Sequence, residues 1–211
     1  MLEIHLFVNP LGRRCFRCEH DVLKVDQQLN TKVNYRFIPF FNMATIQQTI
    51  ELYHLDQHSL AVRQSVSNTI YRVILDYMAA SFQGRKRGRQ FLLMMQNALI
   101  KDNNNYNDKL VEKIALASGL DLEMFLEDRH SSLAKKAFQK EQQIAKSLGV
   151  KKPATAVVFY YKKTKYCFLL NDFDYESLVT AYQNKQLENE FSVANFIKNR
   201  RLHSQTKLVQ K

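Results

Sequence analysis

The chain contains no tryptophan, three cysteines, three prolines and five glycines in 211 residues. Three cysteines are too few to staple a fold of this size, and their scarcity points to a reducing compartment. No apolar run is long enough to cross a bilayer. Met1-Leu2-Glu3-Ile4 goes directly into an apolar strand pattern, so a cytoplasmic protein without a leader or membrane contact is expected. Acidic residues are the minority: 20 Asp and Glu stand against 31 Lys and Arg, for a net charge of +11. That surplus favours an acidic partner. Nucleic acid is not expected as that partner, because no zinc finger or aromatic RNA-binding signature accompanies the charge. The six histidines, among them His5, His20, His54 and His130, form no metal-ligand spacing, and there is no nucleophile elbow. Neither a metal nor another cofactor is expected.

With 45% hydrophobic content the chain can bury one sizeable core and a smaller second one. Its most informative stretch is at the start. Leu2, Ile4, Leu6 and Val8 alternate as a strand that stops at Asn9-Pro10. Val22, Leu23, Val25 and Leu29 then recur at roughly helical spacing, which puts Cys15 and Cys18 where a helix begins. At such a position backbone N–H groups and the helix dipole favour a thiolate, the species that disulfide exchange requires. Two registers are open. The literal pair Cys15-Phe16-Arg17-Cys18 is close enough in sequence to form a disulfide. Counted from Pro10, however, the nucleophile position falls near Gly12 and the resolving position on Cys15, which makes the turn a degenerate one.

Further along, Val33, Tyr35 and Phe37 predict a second strand. From Met43 to Arg129 strand signals are nearly absent, and helices are predicted near 44–54, 59–82, 89–101, 107–118 and 121–128. A helix over 130–148 shows Leu133, Ala134, Ala137, Phe138, Ile144, Ala145 and Leu148 on one face, which should dock on the sheet. Residues 154–160 and 166–170 read as a hairpin around a basic turn. Cys167 falls in its second strand and is expected in the core. Two amphipathic helices, 172–185 and 189–202, and a mobile polar tail from His203 complete the chain.

The order of strand, CxxC-like turn, helix, strand, helical block, helix, proline and hairpin resembles the DsbA family of thioredoxin-like proteins. Four pieces are similar to the YjbH family, also called SpxH. They are Leu2-Glu3-Ile4 through Phe7-Val8-Asn9-Pro10-Leu11, Gln83-Gly84-Arg85-Lys86 with Gln90-Phe91-Leu92, Leu120-Asp121-Leu122-Glu123 with Phe125, and His130-Ser131 leading to Pro153. The resemblance implies an α/β thioredoxin-like fold of DsbA type with a large helical insertion. The sheet domain would comprise residues 1–42 and 130–188, the inserted subdomain 43–129, and a C-terminal helix with a basic tail 189–211. It implies a cytoplasmic, non-enzymatic adaptor that binds the transcription regulator Spx and promotes its proteolysis by ClpXP. The alternative is a DsbA-like thiol-disulfide oxidoreductase using Cys15 and Cys18. In the family register the first cysteine falls on Gly12 and the second on Cys15, and Cys18 is extra. The His- and Cys-rich stretch that family members often carry ahead of the first strand has no counterpart here, so metal binding is not carried over. Pro153 would be a cis-proline facing the turn.

Two basic clusters are candidate binding surfaces. Arg13, Arg14 and Phe16, beside Pro153, would give the face used for peptides a positive character. Arg85, Lys86, Arg87 and Arg89 read either as a solvated connection between helices or as a docking patch for an anion.

Overall fold

A computed structural model describes residues 1–160, 166–201 and 207–210. The chain divides into two compact units, one of Met1–Val8, Arg14–Ile38 and Ala145–Lys211, the other of Asn9–Arg13 and Pro39–Ile144.

The first unit is built on a five-stranded sheet. Its strands are β1 (Leu2–Val8), β2 (Val33–Pro39), β3 (Thr155–Tyr160), β4 (Tyr166–Leu170) and β5 (Lys207–Gln210), in the order β2-β1-β3-β4-β5. β1 runs antiparallel to β3, with Leu2 opposite Tyr160 and Phe7 opposite Thr155. As a central strand it is buried on both faces: Phe7 is as inaccessible as Leu6 and Val8. Between β1 and β2 lies α1 (Arg13–Gln28), whose Val22 and Val25 are fully buried as their helical spacing requires. Cys167 is buried in β4, as its place on a core strand implies. Two helices, α8 (Tyr175–Gln183) and α9 (Glu190–Arg201), follow β4. Asp174 caps α8 by accepting from the Ser177 N–H at 2.8 Å.

The C-terminal tail departs from expectation. Lys207–Gln210 pairs antiparallel with β4, Leu208 lying opposite Phe168. An edge strand presents unpaired backbone N–H and C=O groups, and the short apolar run at Leu208-Val209 satisfies them. The basic turn at 161–165 and the tail residues 202–206 and 211 lie outside the described residues.

The second unit is helical: α2 (Met43–Leu52), α3 (Leu60–Phe82), α4 (Arg85–Gln96) continuing through a π-helical turn (Asn97–Lys101), α5 (Asp108–Ala117), α6 (Leu122–His130) and most of α7 (Ser132–Ser147). Side chains fix the starts of these helices. Asn42 and Thr45 form a reciprocal capping box on α2, and Ser59, Asn107 and Asp121 cap α3, α5 and α6. α4 begins four residues earlier than its sequence pattern suggests. Gly84, at φ +118°, turns the chain, so Arg85, Lys86, Arg87 and Arg89 lie in the opening turns of a helix rather than in a connection. Gly88 is tolerated there because of its small size: a Cβ would come within 2.8 Å of Ser81 Cα. α3 and α4 therefore cross closely.

Most of α7, through Ile144, belongs to the helical unit, whereas the sequence pattern suggests docking on the sheet. Phe138 meets Phe41 and Tyr71 edge-on, and Gln142 Nε2 donates to the Pro39 carbonyl at 2.7 Å while its Oε1 accepts from the Phe41 N–H. Its buried stripe includes Ala134, Phe138 and Ala145. Leu133, expected on that stripe, is 58% exposed because it lies a step of about 100° around the helix from Ala134. No helix among the described residues is long and apolar enough to cross a membrane.

A buried charge cluster ties α3, α5 and α6 together. Arg129 donates through Nε to Asp76 Oδ1 at 2.8 Å and through Nη1 to Asp108 Oδ1 at 3.1 Å, and Tyr106 donates to Asp76 Oδ2 at 2.6 Å. The Arg129 and Asp76 side chains are each 3% exposed, and burial pushes the Asp76 carboxyl above its ordinary value despite the guanidinium. Arg129→Met, which leaves that carboxylate buried with the Tyr106 hydroxyl but without its charge partner, is expected to cost about 3–5 kcal/mol in urea unfolding of the full chain. Adding Asp76→Leu should recover much of the loss. A single-variant cost below about 1 kcal/mol would mean that the pair behaves as a solvated one.

Candidate functional site

α1 starts at Arg13, which makes Gly12 the residue at its N-terminal boundary, Cys15 the third helical residue and Cys18 the sixth. The first backbone N–H groups of a helix and its positive dipole end are what stabilise a thiolate, and this effect fades beyond the first turn. Gly12, at the boundary, has no side chain. Cys15 lies in the first turn and Cys18 in the second; they are buried thiols with no disulfide between them.

Cys18 has a structural role. It is fully buried, and its Sγ donates to the Phe173 carbonyl at 3.1 Å. Burial pushes its pKa from 9.0 up to about 12; Arg14 opposes the rise, while Asp21, Asp172 and Glu19 add to it. A thiol held in this way carries almost no thiolate at neutral pH and is a poor nucleophile.

The same carbonyls engage Arg14, whose Nη2 donates to Asp172 O at 2.8 Å and to Phe173 O at 3.3 Å. The segment they hold is tied back to the sheet. The Phe173 N–H donates to Ala154 O at 3.0 Å, and the Ala154 N–H donates to Phe7 O at 2.8 Å. A continuous chain of hydrogen bonds thus runs from the end of β1, through Ala154 and Phe173, to Cys18 and Arg14 of α1. Lys152 adds an ion pair to Asp172 at 2.8 Å, and Thr155 Oγ1 donates to Asn171 Oδ1 at 2.8 Å.

Pro153 is buried next to this segment, and its peptide bond is trans, as are all the described peptides. The cis-proline expectation is corrected. The sharp bend comes from Ala154, at φ +58°, a left-handed conformation that turns the chain into β3 without inverting the preceding peptide bond.

The expected peptide-binding face changes accordingly. The Arg14 guanidinium is engaged by main-chain carbonyls. Phe16 is buried and sits edge-on to His20 with ring centroids 4.5 Å apart. Arg13 is exposed and lies over the Tyr53 ring at 5.7 Å, a cation–π distance between two residues of the second unit. Of the three, Phe16 is buried, Arg14 is half-buried with Nη2 on main-chain carbonyls, and Arg13 is exposed. In α4, Arg85, Lys86 and Arg87 are exposed and Arg89 is half-buried. Among the described residues no three His, Cys, Asp or Glu side chains converge as metal ligands would. Sequence reasoning missed the carbonyls of Asp172 and Phe173, because main-chain acceptors over 150 residues away leave no sequence signal.

Comparison with known proteins places these features. A family model described as Thioredoxin matches residues 5–181. The ClpXP adapter protein SpxH of Bacillus subtilis (strain 168) is 30% identical over 174 residues, a match covering 75% of this chain and 58% of that protein. The ClpXP adapter protein SpxH of Staphylococcus saprophyticus is 28% identical over 163 residues, covering 75% of this chain and 55% of the relative. The chain thus spans less than two thirds of the length of these curated relatives. Among solved structures, the cytosolic disulfide reductase DsbM from Pseudomonas aeruginosa superposes with a TM-score of 0.61 at 14% identity, covering 88% of this chain and 98% of that one. The oxidoreductase DsbA from Xylella fastidiosa gives 0.55 at 13% identity, over 83% and 79%. At such identities the structural likeness shows the fold alone.

Cys18→Ala removes the bond to Phe173 and should cost about 1–2 kcal/mol at neutral pH. The thiol pKa is raised in the folded chain, so the contribution of Cys18 is fully present below pH 9 and is lost as pH rises toward about 12. The loss amounts to about 1.4 kcal/mol per pH unit across that window. The stability gap between wild type and Cys18→Ala, followed by urea unfolding from pH 7 to 11, should therefore narrow above pH 9, close at about pH 10 and reverse in sign by pH 11. A constant gap would contradict the assignment.

Proposed function

The chain belongs to the thioredoxin family, and from that premise we propose that it is a binding adaptor, which presents a Spx-like transcription regulator to the ClpXP protease. The observation that carries the proposal is Gly12. The family model matches over most of the chain, and Gly12, on which the family register puts the first cysteine, stands just ahead of the helix and has no side chain. The relatives named as ClpXP adapter proteins, at 26–30% identity, support the same role. An adaptor needs surface and not electron transfer. Holding a client close to the protease turns a second binding event into an intramolecular one and raises the effective concentration of the client.

No thiol-disulfide exchange is required in this mechanism. Cys15 and Cys18 serve as packing groups, and the alternative of an oxidoreductase would need a nucleophile that burial of Cys18 works against. The work takes place in the cytoplasm, where ClpXP and its clients meet, and calls for neither nucleic acid nor a membrane.

The test is the rate at which purified ClpXP degrades Spx from the same organism, with and without this protein. Wild type and Cys15→Ala, which leaves the Cys18 bond in place, should accelerate degradation equally, and neither should reduce insulin. Absence of acceleration by wild type would refute the adaptor role, as would insulin reduction that Cys15→Ala abolishes.

A further inference from the structure

A groove of about 510 Å3 opens in the second unit, between the end of α3 and the outer face of α7. Its apolar part consists of Phe82, Leu133 and Ala137, and Lys136 and Lys140 flank it. Phe82 is 44% exposed and Leu133 58% exposed, so two large apolar side chains face water at one place. Leu133, Lys136, Ala137, Lys140 and Gln143 repeat at three- and four-residue intervals, a single continuous stripe of α7. That stripe is about 15 Å long, or about three helical turns. None of the residues lining the groove is acidic. One residue beyond Gln83, which follows Phe82, the chain enters Gly84 and then the exposed cations Arg85, Lys86 and Arg87.

We infer that this groove seats an acidic amphipathic segment of a partner protein, helical over about three to four turns, with its apolar side chains on Phe82 and Leu133 and its carboxylates against Lys136 and Lys140. The reasoning is one of complementarity. Apolar anchors ringed by charges of one sign match a helix that presents leucine-like residues at i, i+3 and i+7 among glutamates and aspartates. The exposed phenyl and leucyl groups favour a protein over a nucleic acid, which would meet lysines here but no base-reading side chains. A second copy of this chain is disfavoured by its own charge of +11. The groove chemistry stands independently; that the segment belongs to the protease's client rests on the adaptor role proposed above.

The probe is a fluorescein-labelled helical peptide of about 18 residues with leucines every third or fourth position and glutamates between them; its counterpart carries lysines instead. Binding to the full chain is followed by fluorescence anisotropy at low and high salt. The acidic peptide should bind, and more weakly in high salt, while the basic one should not. Lys136→Glu with Lys140→Glu should weaken the acidic peptide about tenfold or more and admit the basic peptide, a reversal that simple misfolding would not produce. Leu133→Ser should weaken binding while leaving its salt dependence unchanged. Equal binding of the two peptides, indifference to the charge reversal, or tighter binding of a single-stranded oligonucleotide through the same lysines would overturn the inference.

The degradation assay separates the two proposals. If the charge-reversed protein loses the acidic peptide yet still accelerates Spx degradation fully, the groove is not the client site and the adaptor role stands. If wild type discriminates between the peptides but accelerates nothing, the adaptor role falls and the groove remains.

Discussion

The hydrogen-bond chain from the Phe7 carbonyl through Ala154 and Phe173 to Cys18 and Arg14 is the constraint on which the sheet unit depends. It joins the end of the central strand, the loop that leads into β3, the connection after β4 and the first two turns of α1. Main-chain groups of the first three are bonded to one another or to side chains of the fourth. One nitrogen of the Arg14 guanidinium, Nη2, donates to two main-chain carbonyls. A thiol buried and donating to a carbonyl is stabilised in its protonated form, because burial disfavours the thiolate by more than the neighbouring Arg14 favours it. The Cys18 thiol and the Arg14 guanidinium of this turn thus take part in holding the sheet unit together.

The helical unit shows the complementary arrangement. Its polar interior is the Arg129, Asp76, Tyr106 and Asp108 cluster, in which each charge meets an opposite charge or a hydroxyl. Arg72 adds a bond to Asp108 at 2.9 Å and lies over the Tyr106 ring at 4.9 Å. With its charge requirements met internally, the unit leaves a different set of cations, Lys136, Lys140, Arg85, Lys86 and Arg87, on the outside. The overall surplus of positive charge is consistent with acidic partners, since like-charged partners are repelled and oppositely charged ones are steered inward.

Much of this architecture was legible in the amino-acid sequence, and the exceptions have physical causes. The alternation at Leu2, Ile4, Leu6 and Val8 marked β1, and local patterns marked α1, the hairpin and the helical block. What escaped was set by contacts distant in sequence. Arg14 and Phe16 resembled a binding face because the carbonyls and rings that engage them are invisible to composition. Pro153 pointed to a cis bond, whereas the bend is made by the backbone of Ala154, an alanine with a conformation that residue type does not announce. α4 started early because Gly84 turns the chain and Gly88 lets two helices approach, so that two apparent breakers serve as a cap and a contact. Leu133 fell on the wrong stripe because neighbouring helical positions differ by about 100°. At the turn, Gly12 stands at the helix boundary and Cys15 within the first turn, a placement that the spacing from Pro10 alone left open.

The most direct test of the claim that the turn is structural is thiolate absorbance near 240 nm, recorded on the folded protein as pH is raised from 6 to 10. The thiol of Cys18, with its pKa pushed up to about 12, should contribute no step in that range, and comparison with Cys18→Ala should give superimposable curves. A step near neutral pH that disappears in Cys18→Ala would mean a stabilised thiolate at this position, and the turn would then be a working redox site.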